Sequence, residues 1–374
     1  MTIDFQKLAV SGVQELQPYL PGKPIEELER ELGISNILKL ASNENPMGPS
    51  TKVIEALQDP SLQMALYPDG NGFILKQKLS EKLDVSMEQV TLGNGSNDVL
   101  DMIARAFLCE GREAIYSEYA FAVYPISIKA VGATAKVAKA LPTDHEQNPY
   151  GHDLQAMQAL ITDKTRVIFI ANPNNPTGTW LKSSELDAFI ASVPNDVIVV
   201  VDEAYFEYVE ETEYPDTLQW LDKYPNLIVT RTFSKIYALA GLRVGYAVCS
   251  EQIADLLNRV RQPFNVNTPA LIAATVALDD QEHLKTCRKI NSQGIQFWQV
   301  ACQSRELDYI PTVGNFITID LEQDAAPIYD ALLREAVIVR PIANYGLPNH
   351  LRITISTSEE NQQCLDALDK VLGV

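Results

Sequence analysis

At 374 residues the chain is too long for one simple core, and two domains are expected. Its 46% hydrophobic and 21% charged residues are ordinary for a globular protein. A formal net charge of -19 and a pI near 4.6 argue against nonspecific binding to nucleic acid or to an anionic membrane, and require any phosphate site to be locally basic.

Along the chain, residues 1 to 45 are broken by Pro18, Pro21, Gly22, Pro24 and Gly33, with one short helix over 25–32. Residues 1–10 lack a basic stretch followed by an apolar run, so no secretory leader is expected. Asn43-Glu44-Asn45-Pro46-Met47-Gly48-Pro49 is a polar link, and Pro49-Ser50 opens a helix over 51–58. Strands and helices then alternate. A strand at 90–92 leads into Gly93-Asn94-Gly95-Ser96-Asn97-Asp98 and a helix carrying Val99, Leu100, Ile103, Ala106 and Phe107 at helical spacing. A strand at 114–116 precedes a helix over 122–131. Residues 166–171 and 197–201 are apolar almost without alternation, as in parallel strands covered on both faces. Between them Ser184 and Asp187 predict a capping box that opens a helix running to Ser192. Strands at 227–230 and 244–249 flank a polar segment. After Gln262-Pro263-Phe264 the rhythm changes: helices over 268–278 and 281–304, a strand at 316–321, a helix over 326–335, strands at 337–340 and 351–355, and a closing helix over 359–372. The predicted fold is α/β. A mostly parallel central sheet forms a large domain at 46–265, and a smaller α+β domain comprises 266–374 with the arm 1–45.

The five cysteines are scattered without a C-x-x-C pair, which favours reduced thiols and a cytoplasmic protein, and the four histidines have no metal-binding spacing. No apolar run approaches the about 18 residues of a membrane helix.

Chemistry concentrates where strands end. Lys235 lies in Thr232-Phe233-Ser234-Lys235, with Arg243 further along the same segment; a lysine among hydroxyls and an arginine suits a Schiff-base nucleophile beside a phosphate. The glycine turn around Gly95 lets backbone approach an anion at a helix N-terminus, but it lacks the third glycine of a dinucleotide fingerprint. Asp202 ends one strand and is placed to hold a pyridinium nitrogen protonated, with Tyr205 in reach of a ring oxygen. Asn175, in the rigid loop Asn172-Pro173-Asn174-Asn175-Pro176-Thr177-Gly178, offers a directed amide. Phe121 can stack on a flat ring, and Arg340 and Arg352 can clamp a carboxylate or phosphate.

These motifs occur in one order with Pro18-Tyr19-Leu20-Pro21-Gly22-Lys23-Pro24, Asn43-Glu44-Asn45-Pro46, Tyr67-Pro68-Asp69-Gly70 and Leu351-Arg352-Ile353-Thr354. The set resembles the fold-type I pyridoxal-phosphate aminotransferases, and among them the histidinol-phosphate aminotransferases. The resemblance implies pyridoxal 5′-phosphate as cofactor, Lys235 as its Schiff-base partner and base, Asp202 at the ring nitrogen, and Tyr205 and Asn175 at the ring oxygen. It implies Phe121 on the ring face and a phosphate cup of Gly95, Ser96, Asn97, Thr232, Ser234 and Arg243. Tyr67 would reach the cofactor of a second subunit, so a homodimer with shared sites is implied. Arg352 would recognise the substrate, helped by Tyr19, Asn45, Asn315 and Arg340. No metal is implied. The sequence departs from the common pattern at Phe121, where tyrosine is also frequent, and at Asn97-Asp98, where an acidic pair is common. The implied reaction is transamination from L-glutamate to imidazole-acetol phosphate, giving L-histidinol phosphate. An aromatic amino-acid aminotransferase, a phosphothreonine decarboxylase and a non-catalytic regulator on the same fold remain alternatives, the last opposed by the acidic charge.

Overall fold

The computed structural model describes residues 3–19 and 21–374; Leu20 of the proline-rich motif lies outside the described residues. Among the described residues thirteen strands lie in three sheets: β1 (Leu38–Lys39), β2 (Val90–Gly93), β3 (Glu113–Ser117), β4 (Thr134–Ala138), β5 (Thr165–Ala171), β6 (Ile198–Asp202), β7 (Leu227–Thr232), β8 (Gly245–Cys249), β9 (Tyr309–Ile310), β10 (Phe316–Asp320), β11 (Val337–Ile338), β12 (Arg340–Ile342) and β13 (Leu347–Thr354).

The large sheet has the order β2-β8-β7-β6-β5-β3-β4. All its pairings are parallel except the two made by β8, which runs against both β7 and β2. The unalternating strands are explained by the two cores they serve. Ile168, Ile170, Val199, Val201, Leu227 and Val229 enter one core, whereas Val167, Phe169, Val200 and Ile228 enter the core on the opposite face. Each side chain is thereby buried although successive residues point opposite ways.

A second, antiparallel sheet has the order β12-β13-β10-β9 and its own core around Trp298, Ile317, Ile319, Leu351 and Ile353. The predicted strand at 337–340 divides: β11 pairs in parallel with β1 of the N-terminal arm, and β12 pairs antiparallel with β13. The helix Thr268–Ala277, grouped by sequence with the smaller domain, contributes Ala270, Ala273, Ala274 and Ala277 to a core of the large sheet. The capping box is also displaced. The helix begins at Ser183, and Glu185 rather than Asp187 reaches back, accepting from the Lys182 backbone N–H at 3.1 Å. The helix Phe73–Leu83, strand β4 and the helix Glu251–Val260 are additions that the sequence pattern did not delimit.

Candidate active site

Parallel strands bring their carboxyl ends to one edge, and β5, β6 and β7 deliver their next residues there. Register pairs Asp202 with Ala171 on one side and Thr230 on the other. The Asp202 carboxylate is buried, accepting from Tyr124 Oη at 2.9 Å and Thr230 Oγ1 at 3.0 Å. Burial raises its pKa, and those two donors oppose the rise. A cation placed beside it would offset the burial and favour the carboxylate. Behind this edge the next side chains turn away: Arg231 pairs with buried Glu203 at 2.7 Å and lies 3.5 Å over the Phe206 ring.

Lys235 follows β7 and projects into a cavity of about 290 Å³, whose lining includes Asp202, Tyr205, Phe121, Arg243 and Arg352. Its amine donates to the carbonyl oxygens of Ser42 at 3.1 Å and Asn43 at 3.3 Å. Desolvation, then the positive charges of Arg352 and Arg243, lower its pKa to about 7, with Glu44 opposing. A large fraction of the amine is therefore uncharged at neutral pH, as a nucleophile or base requires.

On one side of Lys235 the structure forms a cup for an anion. The helix Ser96–Phe107 opens toward the cavity with Ser96 and Asn97 in its lining, and a helix N-terminus attracts negative charge. Gly95 has φ +82°, and a Cβ there would fall 2.3 Å from Arg243 Nη2. Gly245 lets β8 approach equally closely, since its Cβ would lie 2.4 Å from the Ser96 backbone nitrogen. Arg243 Nη1 donates to Ser234 Oγ at 3.3 Å, and Thr232 Oγ1 donates to Ser234 Oγ at 3.0 Å. Asp98 instead stabilises the glycine turn, accepting from the Asn94 backbone N–H at 2.8 Å and Asn265 Nδ2 at 2.7 Å.

On the other side, β13 supplies Arg352. Its guanidinium is buried, donates to Asn175 Oδ1, and donates to the Ala41 carbonyl at 2.7 Å, while Nε has no partner among the described residues. Desolvation lowers its pKa. Arg340 and Tyr19 line the same end, with the Arg340 guanidinium 6.0 Å over the Tyr19 ring.

The cavity thus gathers Tyr19, Ser96, Asn97, Phe121, Asn175, Asp202, Tyr205, Thr232, Ser234, Lys235, Arg243, Arg340 and Arg352. Four expected residues are outside its lining. Gly95 is the floor beneath Arg243. Asn45 turns away and donates to the Ile236 carbonyl at 2.7 Å, bracing the lysine segment. Asn315 is buried beneath the site and donates to the Asn43 carbonyl at 3.0 Å. Tyr67 is 82% exposed and stacks on Phe264 at 4.7 Å. The sequence reading did not single out Asn43, Glu44, Tyr124 or Tyr345. Asn43 and Glu44 stand in a quoted motif, but nothing in it distinguishes Asn43 from Asn45. Tyr124 is within a helix and carries no local signal.

The aminotransferase class I and II family model matches residues 35–368. Histidinol-phosphate aminotransferase 2 of Pseudomonas aeruginosa is 56% identical over 372 residues, covering 99% of each chain. The protein of that name from Methylococcus capsulatus is 57% identical over 98% of each. Among solved structures, histidinol-phosphate aminotransferase from Sinorhizobium meliloti in complex with pyridoxal-5′-phosphate aligns with a TM-score of 0.88 at 26% identity, covering 97% of each chain.

Proposed function

This chain belongs to the family of class I and II aminotransferases, and on that premise we propose that it transfers the amino group of L-glutamate to imidazole-acetol phosphate. The products are 2-oxoglutarate and L-histidinol phosphate, a step of histidine biosynthesis. The observation that carries the reading is one cavity holding a lysine amine with a pKa of about 7, a buried aspartate and the buried Arg352. Relatives more than half identical over the full chain support the substrate.

Pyridoxal 5′-phosphate is the cofactor, and when bound its protonated ring draws off the electron pair left at the substrate's α-carbon. The residues suit it: an anion cup floored by a glycine where any Cβ would displace Arg243, and a buried carboxylate that a neighbouring cation would favour. Gly95, Ser96, Asn97, Thr232, Ser234 and Arg243 hold the phosphate. Asp202 keeps the ring nitrogen protonated. Tyr205 and Asn175 would serve the ring oxygen, and Phe121 would cover the ring. Lys235 anchors the cofactor and then moves the proton at the substrate's α-carbon. Arg352 binds the acidic group of the substrate, assisted by Arg340 and Tyr19, whereas Asn45 and Asn315, expected from sequence to help, brace the site from outside the cavity through the Ile236 and Asn43 carbonyls. Enclosure in the cavity favours the uncharged form of the Lys235 amine and strengthens each of these contacts.

The working unit in this reading is a homodimer with shared sites. Tyr67, Phe264, Leu66, Phe73 and Ile74 are exposed apolar side chains close in sequence or stacked together, as a covered surface would be. We assign the enzyme to the cytoplasm, in keeping with five unpaired cysteines. No helix among the described residues is long and apolar enough to cross a membrane. The test compares kcat/KM for histidinol phosphate, phenylalanine and phosphothreonine, each with 2-oxoglutarate, and monitors CO2 release. Histidinol phosphate is expected to lead by orders of magnitude. A lead for phenylalanine, or CO2 from phosphothreonine, would overturn the assignment.

A further inference from the structure

Asn43 lies at the crossing of the arm, both main sheets and the lysine segment, and every polar atom it has is engaged. It is 1% exposed and holds φ +55°, a left-handed conformation that asparagine and glycine tolerate best. Its backbone N–H donates to Thr354 Oγ1 at 2.9 Å, and the Thr354 hydroxyl in turn donates to Asn43 Oδ1 at 3.4 Å. That pair fixes which end of the carboxamide faces which neighbour. Nδ2 is left to donate to Tyr205 Oη at 2.8 Å. Its carbonyl oxygen accepts from Asn315 Nδ2 at 3.0 Å and from Lys235 Nζ at 3.3 Å.

A phenol has one proton and two lone pairs. Because Asn43 donates to the Tyr205 oxygen, the Tyr205 proton must point away from Asn43, and the open side of that oxygen is the cavity. We propose that Asn43 is a positioning residue of the reaction: its carboxamide aims the Tyr205 proton into the cavity, while its carbonyl holds the Lys235 amine beside it. The inference rests on the transaminase reading above and adds to it the device that makes Tyr205 a donor rather than an acceptor. An O–H so aimed stabilises an anionic ring oxygen, and a donation received by the same phenol strengthens the one it makes. Through Thr354 the device is joined to β13, the strand that carries Arg352.

The readout is the pH midpoint of the visible absorption band of the protein loaded with pyridoxal 5′-phosphate. The groups facing Tyr205 are Arg352, Asp202 and Tyr345, and those facing Lys235 are Arg352, Arg243 and Glu44. All of these stay in place in the variants. Asn43→Gly keeps the left-handed backbone and the carbonyl to Lys235 but removes the donor to Tyr205. A donor to the anionic oxygen favours loss of the bound proton, so its weakening raises the midpoint, by up to about one pH unit, the shift that complete loss of one hydrogen bond would give. Tyr205→Phe is expected to raise it as well, and adding Asn43→Gly to Tyr205→Phe is expected to change nothing further. A residue that acts only through the fold would shift both backgrounds alike. An unchanged midpoint in Asn43→Gly, or an equal shift in the Tyr205→Phe background, overturns the proposal. Should Asn43→Gly fail to fold, Asn43→Asp decides: it preserves shape, turns a donor into an acceptor, and must shift the midpoint more when Tyr205 is present than when it is not. A wild-type protein that gains no Lys235-dependent visible band has failed the transaminase reading itself, a result distinct from a band whose midpoint ignores Asn43.

Discussion

Gly95→Ala separates the shape of the anion cup from its charge. The residue has φ +82° and ψ 165°, a region open essentially to glycine alone, and alanine there costs roughly 1–3 kcal/mol. The new Cβ would also fall 2.3 Å from Arg243 Nη2 and 3.0 Å from its Cζ, so the guanidinium must swing away. The two effects appear in different measurements. Backbone strain is present with or without cofactor, so denaturant unfolding of the cofactor-free protein should show a loss of roughly 1–3 kcal/mol. Displacement of Arg243 appears only when the phosphate binds. Hydrogen bonds to a charged group contribute roughly 1.5–3 kcal/mol. At about 1.4 kcal/mol per decade, pyridoxal phosphate should therefore bind roughly 10- to 100-fold more weakly, read by titrating the cofactor-free protein and following visible absorbance. A variant that unfolds more easily yet keeps wild-type cofactor affinity would show that Arg243 does not hold the phosphate.

Two other consequences follow from buried charge. In the cofactor-free protein, the pH at which Lys235 becomes half-reactive toward an amine-labelling reagent, followed by mass spectrometry, should lie near its pKa of about 7. Glu44→Gln removes an attraction and should move that midpoint down, whereas Arg352→Gln removes a repulsion and should move it up; shifts of one common sign would refute this account. Arg231→Met leaves Glu203, which is fully buried, without its cation, and should destabilise the fold by roughly 3–5 kcal/mol in urea unfolding. Adding Glu203→Gln should recover much of that loss, and a single variant within about 1 kcal/mol of wild type would contradict the burial argument.

What the sequence made legible is what it keeps contiguous. The proposed phosphate cup is two short runs, one at 93–98 between β2 and a helix and one at 232–243 between β7 and β8, and such contiguous runs are legible without the fold. The central strands were legible because both faces are buried, which leaves an unbroken apolar run. β4 lacks that signature: it pairs only with β3 at the sheet edge, and Thr134 and Val137 are exposed, so Thr-Ala-Lys-Val-Ala is too weak a pattern to stand out. The run at 337–340 looked like one strand because an apolar pattern cannot say that its first half pairs with the arm and its second with β13. The same limit explains Asn43 and Asn45. Both are asparagines of one motif, and only the left-handed turn at Asn43 sends its carboxamide to Tyr205 while Asn45 reaches the Ile236 carbonyl. The contacts that join the substrate end of the cavity to its cofactor end are all of this long-range kind. Arg352 of the small sheet meets Asn175 in the loop after β5, and Asn43 of the arm meets Tyr205, Lys235 and Thr354. A substrate held at Arg352 would sit on the strand that also carries Thr354, the partner of Asn43, so β13 is the physical link between the proposed substrate end and the groups that orient Tyr205 and Lys235.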